Sequence, residues 1–139
     1  MPSRIDGTHV YGWYRLEDAW SLPQSRASGV YMLAHYKRCP SSVDASSNRI
    51  IYIGETCGQT LWLRWKQFAT SALFNRPGHS GGFTYFKSFT RDHHPTLAVA
   101  FAAPNDDEPV RTYKIRYLER KWLLQYVQTY GVPPRCNRK

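Results

Sequence analysis

Two apolar segments on either side of a turn-rich stretch constrain the fold of this chain more than any other feature. GVYMLAHY (29–36) and RIIYIGET (49–56) are rich in β-branched and aromatic residues and are bounded by residues that break regular structure. Between them lies CPSSVDASSNR (39–49), whose composition is typical of turns. We therefore expect an antiparallel strand pair. The connection is either a plain exposed loop or a loop that reaches toward a substrate.

Helical periodicity marks two later segments. TLWLRWKQFATSALF (60–74) repeats apolar residues at the spacing of an amphipathic helix. A longer helix is predicted from about Val110 to Tyr130, where Gly131 and two prolines end it. Both helices need an apolar surface to pack against, and the predicted strands supply it.

The segments between the two helices complete the predicted domain. RPGHSGG (76–82) predicts a loop, FTYFKSF (83–89) a short strand and TLAVAFA (96–102) a buried strand. The resulting order indicates an α/β fold with a small mixed, mainly antiparallel three-stranded sheet flanked by helices. Because no linker divides the 139 residues, we expect a single domain over 1–139.

The charge balance favours a polyanionic partner. Nineteen Lys and Arg against ten Asp and Glu give a net charge of +9, and five Trp, ten Tyr and six Phe are interleaved with them. A basic and aromatic surface most often binds nucleic acid. The alternative is that the excess charge only keeps the protein soluble.

Cysteine spacing and hydropathy exclude several classes of protein. Cys39, Cys57 and Cys136 form no CxxC or Cys/His ligand pattern, so we expect free thiols, with neither a disulfide framework nor a zinc site. No apolar run approaches the ~20 residues of a membrane span, and the first residues carry acids without an apolar core. We expect a cytoplasmic or nucleoid-associated protein with no membrane partner.

An acidic residue interrupts the apolar stripe of the last predicted helix. Glu119 lies between Ile115 and Leu123, one helical turn away on each side. A bare carboxylate buried in such a stripe is destabilised by several kcal/mol unless it has a partner. That partner is either a metal ion or an arginine across the core.

Several motifs in a fixed order resemble those of a known family. GVY (29–31) and YIG (52–54) lie on the two predicted paired strands, Arg64 follows on the first helix, Glu119 lies in the last helix, and GVPPRCN (131–137) ends the pattern. This order resembles the GIY-YIG endonuclease superfamily. The resemblance covers about 27–137 and leaves residues 1–26 as a short N-terminal extension.

The resemblance implies a divalent-metal-dependent endonuclease that hydrolyses phosphodiester bonds in DNA. It implies one Mg²⁺ or Mn²⁺ ion per active site, held chiefly by Glu119, and magnesium needs only one or two carboxylates when water and phosphate complete its shell. Tyr31 is implied as the general base, with Tyr52 orienting the water. Arg64 would bind the scissile phosphate, because its guanidinium matches phosphate oxygens and keeps its charge.

Further residues receive supporting roles from the same resemblance. Gly29 and Gly54 would allow close backbone packing in the two motifs. Nucleic-acid contacts are expected from Lys66 and Arg76 because of their charge, and from Asn137. Asn137 matches an asparagine of the family whose role we interpret as positional.

The sequence departs from the family pattern at two places. Many members carry His or Tyr one turn after the arginine, where this chain has Phe68. His79 in the loop either substitutes for that residue or only caps and solvates the loop. The interval from Tyr31 to Tyr52 is 21 residues, longer than the usual hairpin. Glu55, directly after YIG, is either an additional metal ligand or a surface acid.

Two other functions remain compatible with the sequence. The departure at Phe68 is also expected in a weakly active or inactive basic subunit that binds nucleic acid. An RNA-directed nuclease is the second alternative, because phosphate contacts carry little information about the sugar or base. The segments outside 27–137 are too short for a separate DNA-reading domain. We therefore expect specificity to come from the loops, from a homodimer or from a partner protein.

Overall fold

The computed structural model describes residues 3–5, 7–89 and 95–138. The strands are β1 Ser3–Ile5, β2 Thr8–Arg15, β3 Gly29–His35, β4 Ile50–Thr56 and β5 Leu97–Ala102. The α-helices are α1 Leu16–Ala19, α2 Leu61–Phe74, α3 Ser80–Ser88 and α4 Val110–Tyr130. Two short 3₁₀ helices span Pro23–Arg26 and Arg135–Asn137.

The sheet has five strands in the order β1-β2-β5-β3-β4, and every described pairing is antiparallel. The α/β class is confirmed, but the expectation of a mixed three-stranded sheet is wrong. The additional strands are β1 and β2, which the sequence analysis left in an N-terminal extension. Its strand signal is weak because Gly12 interrupts THVYGWYR and many of its side chains are only partly buried.

Strands β3 and β4 form the predicted antiparallel pair, with Tyr31 opposite Gly54. Strand β3 is central and almost continuously buried, whereas β4 lies at the edge of the sheet. A Cβ atom added to Gly29 would collide with the carbonyl oxygen of Ala102 on β5. Glycine at 29 therefore permits the close approach of β3 to β5.

Helices cover both faces of the sheet. Helix α4 packs on one face, where Trp122 joins Met32 in a buried cluster, and α2 packs on the other, where Trp65 joins Leu33. Burying each large apolar side chain stabilises the fold by about 1.5–3 kcal/mol. Side chains of β3 alternate between these two clusters, as the two-residue period of a strand requires.

The predicted helices are confirmed, and each has a defined end. Helix α2 begins after Thr60, whose side chain accepts a hydrogen bond from the backbone N–H of Leu63. Helix α4 ends at Gly131, which adopts the left-handed conformation (φ 79°) that suits glycine. The strand predicted over 96–102 is also present, as β5.

The strand predicted over 83–89 is wrong, because this segment belongs to α3. The predicted loop over 76–82 accordingly ends at His79, which caps the helix through its side chain. A Cβ atom on Gly82 would lie 2.5 Å from Cβ of Ser71 on α2. Tight packing against α2 therefore overrides the low helix propensity of the two glycines in this segment. Within the described part of the chain, no helix combines the length and apolar character needed to cross a bilayer.

Candidate active site

The two motif tyrosines lie side by side on β3 and β4. Their ring centroids are 5.9 Å apart, with an interplanar angle of 43°. A Cβ atom on Gly54 would lie 2.5 Å from Cε2 of Tyr52 and 3.1 Å from Cζ of Tyr31. Glycine at position 54 therefore leaves the space that both rings occupy.

His79 binds the hydroxyl of Tyr31 and has a defined tautomer. Its Nδ1 accepts a hydrogen bond from the backbone N–H of Gly82 at 3.1 Å, so Nδ1 carries no proton. The neutral ring then carries its proton on Nε2, which donates to Oη of Tyr31 at 2.9 Å. Burial, with a smaller contribution from the charge of Arg64, lowers the pKa of His79 to about 3. The ring is therefore neutral at physiological pH.

The ring of Phe68 packs edge to face against the ring of His79. The two centroids are 5.2 Å apart and the planes are nearly perpendicular. The structure thus brings an imidazole against Phe68, the position at which the sequence departs from the family that it resembles. One ring nitrogen of His79 caps α3 and the other contacts Tyr31. Its substitution for the polar residue of the family stays a prediction.

The two tyrosines differ in access to solvent. Tyr31 is completely buried, and burial followed by the proximity of Tyr52 raises its pKa well above the ordinary value. Tyr52 is partly exposed, and burial also raises its pKa, although the charge of Arg64 opposes this shift. Among the described residues, the Tyr52 hydroxyl has no hydrogen-bond partner. Of these two tyrosine hydroxyls, that of Tyr52 is therefore the one that a water molecule can reach.

Arg64 is held in place through one nitrogen of its guanidinium. Nη1 donates to Oε1 of Gln67 at 2.7 Å and to the carbonyl oxygen of Gly78 at 3.0 Å. These bonds use the two N–H groups of Nη1. The guanidinium also lies close enough to Tyr31 to oppose the rise in the pKa of that phenol, through its charge and a side-chain hydrogen bond. We call Tyr31, Tyr52, Arg64 and His79 the tyrosine cluster.

Glu119 lies on the other side of β4 from this cluster. Its side chain is 19% exposed, and Oε1 is 3.5 Å from Nε of its helix neighbour Arg120, which is 84% exposed. Burial, and then the charge of Glu55, raise the pKa of Glu119 above its ordinary value, and Arg120 only partly opposes them. Glu119 also raises the pKa of Tyr52, so the two groups interact across the edge strand. No arginine from across the core pairs with Glu119 among the described residues.

Glu55 and Glu119, which we call the carboxylate pair, suit a hard divalent cation. Carboxylate oxygens are the ligands that Mg²⁺ prefers, and the charge of Arg120 only partly opposes the rise in the pKa of Glu119. In the described ranges, no group of three or more His, Cys, Asp and Glu side chains is placed to bind a metal. A site completed by water and phosphate oxygens therefore fits these residues better than a closed protein cage.

Gly81, which no sequence motif singled out, shapes the surface around Tyr52. A Cβ atom at this position would lie 2.6 Å from Cε1 of the Tyr52 ring, so the ring sits between Gly81 and Gly54. Beside it is a cavity of about 130 Å³ lined by Tyr52, Ser80, Thr84, Cys136, Asn137 and Arg138. The repeated glycine in GHSGG was the available signal, because a small residue at a helix start permits close approach of another ring.

The residues predicted to bind nucleic acid occupy different surroundings. Asn137 pairs with the backbone of Ile53: its Oδ1 accepts from N–H at 2.9 Å and its Nδ2 donates to the carbonyl at 2.8 Å. It therefore fastens the C-terminal segment to β4, in agreement with a positional role. Lys66 lies 5.4 Å from the ring centroid of Trp62, and Arg76 is exposed between α2 and α3. Nucleic-acid contacts by all three remain predictions.

Comparisons with known proteins do not assign the chain to a family. No protein-family model matches it, and neither a curated protein nor a solved structure does. The argument for function therefore depends on the residues themselves and their geometry.

Proposed function

We propose that this protein is a divalent-metal-dependent endonuclease that hydrolyses phosphodiester bonds in DNA, as its resemblance to the GIY-YIG superfamily implies. One observation carries the proposal: residues from separate sequence motifs lie in one cluster, and Glu119 interacts with Tyr52 across β4. Together, the tyrosine cluster and the Glu119 carboxylate offer a phenol, a cation that can bind phosphate and a ligand for a divalent ion, which phosphodiester hydrolysis requires.

Tyr52, rather than Tyr31, is our choice for the group that activates water. Its hydroxyl is accessible and unpaired, whereas that of Tyr31 is buried against His79. A phenol must lose its proton to act as a base, and the positive charge of Arg64 favours that loss. A divalent ion held by Glu119, with Glu55 beside it, would neutralise charge on the phosphate and the leaving oxygen.

Tyr31 and His79 act as positioning residues in this proposal. Because Nε2–H of His79 donates to Oη of Tyr31, the Tyr31 ring is fixed in contact with Tyr52. Arg64 binds the scissile phosphate through N–H groups other than those of Nη1, which are already bonded to protein oxygens. The arrangement needs little reorganisation when a substrate binds.

A basic nucleic-acid-binding subunit without activity is the second candidate. It is favoured by the raised pKa of both tyrosines, which opposes formation of a phenolate. The two candidates differ only in whether bound nucleic acid is cut.

The test is incubation of the protein with supercoiled plasmid, single-stranded DNA and RNA, with Mg²⁺, with Mn²⁺ and with chelator. We expect cleavage of DNA that requires the divalent ion and is absent in Glu119→Gln. Binding without cleavage under every condition would favour the inactive subunit. Preferential cleavage of RNA would redirect the proposal to an RNA nuclease.

A further inference from the structure

A second group of basic side chains surrounds a cavity at the far end of the β3–β4 pair. The cavity has a volume of about 320 Å³ and is lined by Tyr36, Lys37, Arg38 and Arg49. The three cations are exposed, and no acidic side chain is among these lining residues. An opening with this charge favours an anion with several oxygen atoms, such as a phosphate.

The backbone next to these cations is held by hydrogen bonds from Arg15, the last residue of β2. Arg15 donates from Nη1 to the carbonyl oxygen of Tyr36 and from Nη2 to that of Lys37, the latter at 2.7 Å. The hydroxyls of Tyr36 and Ser47 are also hydrogen-bonded, at 2.6 Å. The two ends of the connection are therefore joined.

The same connection is fixed to the end of α4. Nε2 of Gln125 donates to Oγ of Ser46 at 3.0 Å, and the Tyr130 hydroxyl donates to the Ser46 carbonyl oxygen. Ala45 is buried between these contacts. Asp44 is exposed and accepts a hydrogen bond from the Ser46 N–H. A loop held in this way loses little conformational entropy when it binds a ligand.

The distance from the tyrosine cluster matches the spacing of a nucleic-acid backbone. Arg49 precedes Tyr52 by three residues and Lys37 follows Tyr31 by six. At about 3.3 Å per residue, these separations span roughly 10–20 Å along the strands. Phosphates of one DNA strand advance about 3.4 Å along the duplex axis per nucleotide, so the span equals roughly three to six nucleotides.

We propose that Lys37, Arg38 and Arg49 form a second phosphate-binding site, which holds the nucleic-acid backbone roughly three to six nucleotides from the cleaved bond. We call these three residues the hairpin cations. The inference rests on the proposed function for the class of ligand. It assigns to the long β3–β4 connection the role of fixing the direction of the substrate.

Binding of DNA duplexes to uncleaving protein tests the inference. In a Glu119→Gln background, the hairpin cations are replaced together by alanine, and a control replaces Arg4, Arg111 and Lys114, so that each variant loses three positive charges. Fluorescence anisotropy measures affinity at several salt concentrations. The two duplexes extend either two or twelve base pairs beyond the bond that the wild-type protein cleaves. If the wild-type protein does not cleave DNA, two duplexes with the same total lengths are used.

Loss of the hairpin cations should weaken binding of the long duplex by about 10- to 100-fold and reduce its salt slope by about two to three. The short duplex should bind almost as before, and the control should retain a steeper slope than the hairpin variant. Equal losses in both triple variants would overturn the inference, because total charge alone would then explain them. Wild-type affinity of the hairpin variant for the long duplex would overturn it as well.

The outcomes separate this inference from the proposed function. If the unmutated protein cleaves DNA but the hairpin variant binds the long duplex normally, only the phosphate site is rejected. If no cleavage occurs with either metal but the hairpin variant selectively loses affinity for the long duplex, the nuclease proposal fails and the site stands.

Discussion

The tyrosine cluster and the carboxylate pair differ in how their polar and charged groups are paired. In the cluster, polar groups are matched within the protein: His79 donates to Tyr31, and Arg64 is bonded to Gln67 and Gly78. In the pair, burial and mutual repulsion raise the pKa of Glu119, and a highly exposed arginine is its only ion-pair partner in the described ranges. His79, Tyr31 and Arg64 are thus held by hydrogen bonds within the protein, whereas Glu119 is only weakly paired.

This difference separates the expected effects of substitution. Changes in the cluster should alter both stability and activity, because its contacts support the fold as well as the site. Changes in the carboxylate pair should reduce activity without reducing stability, because removing a poorly neutralised charge relieves an unfavourable interaction. The predictions below test this contrast.

The largest effect is expected from Glu119→Gln. The amide keeps the volume of the carboxylate but is a much weaker ligand for Mg²⁺, so cleavage should fall by about 10³-fold or more. Thermal unfolding should occur at the wild-type temperature or above it. Glu108→Gln, at the exposed start of α4, is the control and should cleave normally. Normal cleavage by Glu119→Gln, or a clear loss of stability, would contradict the contrast.

The next effect distinguishes the two tyrosines. Tyr52→Phe should lower the single-turnover rate by about 10²- to 10⁴-fold, the usual contribution of general acid–base catalysis. Tyr31→Phe should lower it by less, because its hydroxyl contacts His79 instead of solvent. The reverse ranking would return the base role to Tyr31, as the family resemblance implies.

Local sequence patterns were sufficient to predict β3, β4, β5, α2 and α4. The strands are short apolar runs between residues that break regular structure, and the helices show a helical period with clear ends. Helix α3 was missed because its formation depends on contact with α2, and its glycines give no helical signal. Strands β1 and β2 were missed because aromatic residues broken by Gly12 do not alternate cleanly. The structure of β2 depends on long-range pairing with β5, and β1 pairs with β2.

The candidate site, too, could be predicted only in part from the sequence. Motif spacing was sufficient to name Tyr31, Tyr52 and Arg64, and the structure brings them together with His79. Spacing carries no information about burial or tautomer, so it did not separate the exposed tyrosine from the buried one. Those properties depend on contacts between residues that are distant in the chain, such as the 48 positions from Tyr31 to His79.

A smaller effect concerns the acid sensitivity caused by His79. Burial lowers the pKa of this residue from 6.5 to about 3, so the unfolded chain binds a proton that the folded protein does not. Its neutral ring therefore favours the folded state above pH 6.5, and that advantage is lost as pH falls from 6.5 toward 3. Tm measured over this range should fall more steeply in the wild type than in variants that lack an ionisable group here.

Two variants of His79 separate its contacts. In His79→Asn the amide oxygen can replace Nδ1 as the cap of α3, but the contact with Tyr31 is lost. In His79→Gln the amide nitrogen can replace Nε2 and donate to Tyr31, but the cap is lost. If Tyr31 is a positioning residue, the Gln variant should retain more activity than the Asn variant. Both should lose the acid sensitivity, and its persistence in either would exclude His79 as the source.

The smallest effect is expected from adding one methyl group beside Tyr52. In Gly81→Ala the new Cβ would lie 2.6 Å from the Tyr52 ring, so the ring or α3 must move. Overpacking of this kind destabilises a protein by about 1–3 kcal/mol. Gly58→Ala is the matched control, because its Cβ would meet no heavy atom within 4 Å. Urea unfolding and single-turnover cleavage should both be impaired in the first variant alone. Full activity in Gly81→Ala would show that the position of the Tyr52 ring is not critical, and would remove this residue from the proposed mechanism.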